Sequence, residues 1–235
     1  MIGIITYNKP HRKTQEIIFN LLLNGFKNID LIVIPWIERK NFQPIFKHRP
    51  STCPQVNIVD LCKRLNLTHT NVDIEDLNRH CAAKKYKHIL IAGAGILPDD
   101  LSKNHNVINA HPGYLPYSKG LDAFKWALLK GHPIGVTTHY ISYKADEGLL
   151  IEKRKVPIYF EDSFGSVCQR IYETEIAMLT NAIKILESSD APLTSLADET
   201  YTATRRMPHY QEIIMMERFK AIRKKAESIN NKLHS

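Results

Sequence analysis

The sequence predicts an α/β fold: a doubly wound, mostly parallel sheet over residues 1–190, followed by a short C-terminal extension over residues 191–235. Two observations carry that expectation. Strand-like apolar runs alternate with helical patterns from the N-terminus through Gly93, which argues for parallel strands with helices on both faces. The run IDLIVIPW (29–36) is almost continuously apolar, as in a strand buried on both sides.

Taken in order, IGIITY (2–7) is the first strand, followed by a polar loop from Asn8 to Thr14. From Thr14, Ile17, Ile18, Leu21 and Leu22 recur at helical spacing, and Asn24-Gly25 stops the helix. After strand 29–36, the segment 38–55 carries prolines and charges and reads as irregular. Residues 56–65 read as a helix. A Thr/Asn stretch then leads to a further helix from Asp73 to Lys85. Strand 88–96 runs into small residues before Leu97-Pro98. Residues 107–111 form a strand, Asp122–Lys130 a helix stopped by Gly131, and Ile134–Ile141 another strand. Residues 148–158 alternate, which suits a strand with one wet face. The longest helix covers 163–187, capped by Asp162 or Ser163, with Val167, Ile171, Leu179 and Ile183 on its apolar stripe. The extension holds YTATRRMP (201–208) and a basic amphipathic helix from Gln211.

Composition narrows the function classes. No apolar run approaches the ~18–20 residues needed to span a bilayer, and the N-terminus MIGIITYNKP has no basic segment of a secretory signal. Cys53, Cys62, Cys81 and Cys168 are scattered without ligand spacing, so reduced thiols in a cytoplasmic protein are expected, with no metal. The net charge of +8 admits nucleic acid, a membrane surface or an anionic small substrate. Much of it lies in Arg218, Lys220, Arg223, Lys224, Lys225 and Lys232, where a solvated helix face is the plainer reading and a nonenzymatic nucleic-acid-binding role the alternative.

The chemistry concentrates in residues 107–148. Asn109 and His111 stand at i and i+2, so a strand projects both from one face. Asp146 follows the next strand, just before Gly148. An amide, an imidazole and a carboxylate suit acyl transfer to an amine, because the substrate brings its own nucleophile. An imidazole with an ordinary pKa near ~6.5 can move a proton in either direction. The Asn109 amide can hold an oxyanion, a contact worth ~3–4 kcal/mol in comparable sites. By spacing alone, the three are equally well read as strand-end groups satisfying local hydrogen bonds.

The stretch resembles the formyltransferases that use N10-formyltetrahydrofolate. The matching residues are Asn109-Ala110-His111-Pro112, Leu115-Pro116, Gly120, Gly135-Val136-Thr137-Thr138-His139 and Asp146-Glu147-Gly148. The resemblance implies Asn109, His111 and Asp146 as the catalytic set and places the folate co-substrate against Gly93, Ala94, Gly95, Ile96, Leu97, Tyr143, Lys144 and Ala145. His139 is expected to support the site through a buried hydrogen bond. The resemblance to the sugar-nucleotide N-formyltransferases extends to the His-Arg-Lys-Thr loop and the Tyr…Arg-Arg-x-Pro segment. It implies a dTDP-linked amino-dideoxy sugar as acceptor, with dTDP-4-amino-4,6-dideoxyglucose favoured, and a homodimer. Candidate acceptor contacts are Tyr7, Asn8, Lys9, His11, Arg12, Lys13, Tyr114, Tyr201, Arg205 and Arg206, whose cations suit a diphosphate. Glycinamide ribonucleotide and methionyl-tRNA are the alternative acceptors. The first is disfavoured because the loop after the first strand lacks a glycine-rich pattern. The second is disfavoured because fewer residues follow Glu187 than a tRNA-binding domain needs.

Overall fold

A computed structural model describes residues 1–38, 42–47, 56–144, 146–189 and 191–227. Most of the segment 38–55 lies outside the described residues, as do Cys53, Ala145 and Lys232. The strands are β1 (Ile2–Tyr7), β2 (Ile29–Ile34), β3 (Thr68–Asn71), β4 (His88–Ile91), β5 (Val107–His111), β6 (Gly135–Ile141), β7 (Gly148–Lys155) and β8 (Thr194–Ser195). The α-helices are α1 (Arg12–Leu23), α2 (Ile58–Leu65), α3 (Leu77–Lys84), α4 (Asp99–Asn104), α5 (Ala123–Lys130), α6 (Phe164–Ser188) and α7 (His209–Lys224). One sheet runs in the order β3-β2-β1-β4-β5-β6-β7-β8. Strands β1 to β5 pair in parallel and β6 to β8 antiparallel.

Alternation along β1 builds two cores. Ile2 and Ile4 join the cluster packed under α1, α2, α5, α6 and α7, whereas Ile5 and Tyr7 join the smaller one with Leu77 of α3 and Leu101 of α4. Helices therefore cover both faces, as a doubly wound sheet requires. Several bounds differ from expectation. Strand 29–36 stops at Ile34, strand 88–96 at Ile91 and strand 148–158 at Lys155, while the last helix begins at His209. The helix expected over 73–85 is a 3₁₀ turn (Ile74–Asp76) followed by α3. Strands β3 and β8 and helix α4 were not expected. The β3 sequence THTN carries no apolar alternation because it forms the sheet edge, where its residues stay at least partly exposed. Ser163 is the cap of α6, its side chain accepting from Ser166 N at 3.0 Å.

The extension shares the first core rather than building its own. Strand β8 pairs with β7, and Met215 and Phe219 of α7 are buried in the large cluster. Lys125 of α5 and Glu212 of α7 form an ion pair with both side chains at 0% exposure, and Glu212 also accepts from Ile45 N at 2.7 Å. Removing one partner of such a pair typically costs about 3–5 kcal/mol, because the other charge stays buried alone. This contact ties α7 and the 42–47 segment to α5.

His88 opens β4 in a buried position, and neither ring nitrogen is hydrogen-bonded by the described residues. Burial, aided by the Lys87 charge, holds its pKa below the ordinary 6.5. Unfolded chains therefore take up a proton below that value that the folded protein refuses. Stability is full above the ordinary value and falls as pH drops below it. We expect His88→Leu to flatten the loss of melting temperature between pH 7.5 and 5.0. An unchanged slope would show that His88 does not titrate on unfolding.

Candidate active site

Strand β5 projects Asn109 and His111 from one face, and β6 lies antiparallel beside it, with Asn109 opposite His139 and His111 opposite Thr137. A register shift between Thr138 and His139 interrupts the β6–β7 ladder here, a device common beside active sites. Thr137 fixes the turn after His111: its Oγ1 donates to Gly113 O at 2.9 Å and accepts from Leu115 N at 3.0 Å. The loop after β6 then brings Asp146 back to His111, with Oδ1 3.1 Å from Nδ1. The other carboxylate oxygen accepts from Gly120 N at 2.6 Å. Asp146 adopts a left-handed backbone conformation (φ 55°), which short polar residues tolerate best after glycine.

His111 is enclosed (side chain 7% exposed), and its Nε2 lies 2.7 Å from Ser118 O. The carboxylate and the carbonyl can only accept, so each faces a ring nitrogen at which an N–H can be held. The Asn109 amide, half-buried beside it, forms no hydrogen bond with the described residues, leaving its N–H groups available to a ligand. His139 donates from Nδ1 to Tyr140 O at 3.0 Å, and burial lowers its pKa, outweighing the opposite pull of Asp146. It is a neutral buried neighbour of His111 and Asp146.

The other candidate residues divide. Gly93 follows β4, and a Cβ there would lie 2.8 Å from both Tyr7 and His11. Its smallness therefore serves packing against those rings. Ala94, Leu97 and Ile141 are half-buried together, while Ile96 is 95% exposed, so the loop offers an apolar edge and open backbone. Gly95 lies in this same exposed turn, and Tyr143 and Lys144 are exposed on the loop before Asp146.

Among the cations expected to meet a diphosphate, Lys13 needs correction: it is buried and pairs with Glu175 of α6 at 2.6 Å. Arg12 pairs with Glu16 at 2.7 Å and lies over Tyr172, and Lys9 sits 3.1 Å above the Trp36 ring. Asn8 accepts from Trp36 N, Tyr7 packs edge-on to Trp36, and His11 bonds Thr14. The N-terminal loop thus folds on itself. Tyr114, Tyr117, Tyr201 and His132 instead form a ring cluster, with Lys153 Nζ 5.1 Å from the Tyr114 ring. Arg205 is exposed, and Arg206 reaches Asp122 only at 3.9 Å. Sequence reasoning missed Ser118, whose contribution is a backbone carbonyl and leaves no side-chain signal. It also left Gly120 and Glu147 without roles, although both stand in the motif.

Fold and site together define a doubly wound α/β protein carrying an amide–imidazole–carboxylate set at the carboxyl end of a parallel strand, where such sheets bind ligands. A family model described as formyl transferase matches residues 51–183, over half of the chain, and the chain belongs to that family. It is 34% identical over 96 residues to dTDP-4-amino-4,6-dideoxyglucose formyltransferase of Mycobacterium tuberculosis, covering 41% of this chain and 37% of that protein. It is 32% identical over 122 residues to methionyl-tRNA formyltransferase of Listeria monocytogenes, covering 51% and 39%. The chain thus spans under half the length of these curated relatives. A sugar N-formyltransferase from a Shewanella species superposes with a TM-score of 0.61 at 20% identity, covering 93% of this chain and 87% of that one. Phosphoribosylglycinamide formyltransferase from Anaplasma phagocytophilum gives 0.59 at 20%, covering 88% and 98%. The two structures share the fold. Among the described residues no helix is long and apolar enough to cross a membrane, and no cluster of His, Cys, Asp or Glu is placed to hold a metal ion.

The Gly120 N–H that holds Asp146 depends on a glycine. Its φ is +89°, and a Cβ would meet Thr204 O at 2.3 Å. Gly25 has a similar φ of +87° with nothing within 4 Å, so it isolates the backbone term. Gly120→Ala is expected to cost at least ~1 kcal/mol more than Gly25→Ala in urea denaturation, because backbone strain is joined by a clash. Equal losses would contradict the close approach.

Proposed function

We propose that this protein is a sugar N-formyltransferase, moving the formyl group of N10-formyltetrahydrofolate to the amine of a dTDP-linked amino-dideoxy sugar. The favoured acceptor is dTDP-4-amino-4,6-dideoxyglucose, in O-antigen or other surface polysaccharide synthesis in the cytoplasm, by a homodimer. The observation that carries this reading is the line Asp146–His111–Ser118, with contacts of 3.1 and 2.7 Å, beside an Asn109 amide unengaged among the described residues. Family membership supports the reaction, and the sugar-nucleotide relative supports the acceptor class.

In this mechanism the acceptor's lone pair attacks the formyl carbon, and negative charge develops on the formyl oxygen. Asn109 donates to that oxygen, and the nearby imidazolium adds a favourable charge. Collapse of the tetrahedral intermediate breaks the bond to N10, which takes a proton, while the attacking nitrogen gives one up. His111 supplies the first proton and recovers the second, so the net transfer is from amine to N10. Asp146 keeps the ring oriented and favours its cationic form throughout. The apolar edge of Ala94 and Leu97 and the exposed backbone at Gly95 and Ile96 suit the flat pterin of the co-substrate. Tyr114, Tyr117 and Tyr201 offer rings for a base or sugar, with Lys153 and Arg205 for the diphosphate.

Mass spectrometry after incubation with N10-formyltetrahydrofolate tests the reading. The acceptor panel holds dTDP-linked 3-amino and 4-amino dideoxy sugars, a UDP-linked amino sugar, glycinamide ribonucleotide and methionyl-tRNA. A gain of one carbonyl on the dTDP-4-amino sugar, falling about 10²–10³-fold in rate with Asn109→Ala, is expected. Gain only on glycinamide ribonucleotide or methionyl-tRNA would overturn the acceptor assignment.

A further inference from the structure

Lys119 sits between the two residues that hold the His111–Asp146 pair, yet it is itself buried at 2% exposure. Its Nζ donates to Glu147 Oε1 at 2.8 Å and to Asp198 O at 2.6 Å. Its backbone carbonyl accepts from Thr204 N at 2.9 Å and Thr204 Oγ1 at 2.8 Å. The neighbours on either side complete the site: Ser118 O takes His111 Nε2, and Gly120 N reaches Asp146. Three consecutive residues thus hold the imidazole, the loop beside the carboxylate and the carboxylate itself.

We propose that Lys119 is a positioning residue for formyl transfer, pinning the Asp146-Glu147 loop and the 198–204 strap to the segment that orients His111; as a catalytic claim it rests on the function proposed above. Burying an ammonium is costly unless it is paired and hydrogen-bonded, and here one carboxylate and one carbonyl meet it. The Glu147 carboxylate (16% exposed) would otherwise stand as a second negative charge next in sequence to Asp146. Pairing it with Lys119 leaves Asp146 as the carboxylate addressed to the imidazole. The strap lies beyond the residues matched by the family model, so it brings support to the site from the C-terminal extension. Tyr201 is carried between the two strap residues that touch Lys119, Asp198 and Thr204.

The test compares Lys119→Met, Lys119→Arg and the charge-balanced Lys119→Met/Glu147→Gln. Two quantities are read: steady-state kinetics with the acceptor found above, and the downfield NMR resonance of the His111 Nδ1 proton, assigned by its loss in Asp146→Asn. Folding is checked by circular dichroism. Lys119→Met should lose the resonance to solvent exchange and lower kcat at least tenfold, with KM for the folate changed less than threefold. Lys119→Arg should recover the resonance and most of kcat. If Lys119→Met does not fold, the double variant gives the answer, and the same losses there support the proposal. A folded variant lacking Lys119 that keeps the resonance and a kcat within twofold of the parent would overturn it. Because the resonance is read without substrates, its loss supports the positioning role even if the parent protein formylates none of the acceptors.

Discussion

The site depends on one constraint: two acceptors, the Asp146 carboxylate and the Ser118 carbonyl, flank a single buried imidazole. Neither can donate, so each is a place where a ring N–H can be held. In a low-dielectric setting such polar contacts count only where the partners are fixed beforehand. Much of the local architecture fixes them. Thr137 clamps the turn after His111, the Gly120 N–H holds the second carboxylate oxygen, and the bridge from Gly120 to Thr204 ties that N–H to the C-terminal strap.

The sheet explains why these groups converge. Parallel strands β1 to β5 end at one side, and the antiparallel β6 passes next to β5 before its exit loop turns back with Asp146. Among the described residues Asn109 is the member of the set left unengaged, and a donor without such a partner is prepared for an external one. The contrast with the N-terminal loop is instructive. There Lys9, Arg12 and Lys13 meet Trp36, Glu16 and Glu175, so positive charge in that loop is committed to the structure itself.

What the sequence disclosed follows the same division. Asn109 and His111 were legible because strand alternation alone puts i and i+2 on one face, and the motif around them fixed Asp146. The strands with continuous apolar runs were legible for the same kind of reason. Strand β3 was not, because an edge strand can be written as THTN without any hydrophobic signal. Lys13 read as a surface cation because its partner Glu175 lies 162 residues away. The same distance problem hid Lys125 and Glu212. Ser118 acts through its backbone, which composition cannot reveal.

The central claim is that the imidazole set between Asp146 and Ser118 acts in formyl transfer. It is tested directly by the rate of formyl transfer from N10-formyltetrahydrofolate in His111→Gln, with folding checked by circular dichroism. The account predicts a folded variant whose kcat falls at least ~10²-fold. A folded His111→Gln that keeps kcat within twofold of the parent would contradict it.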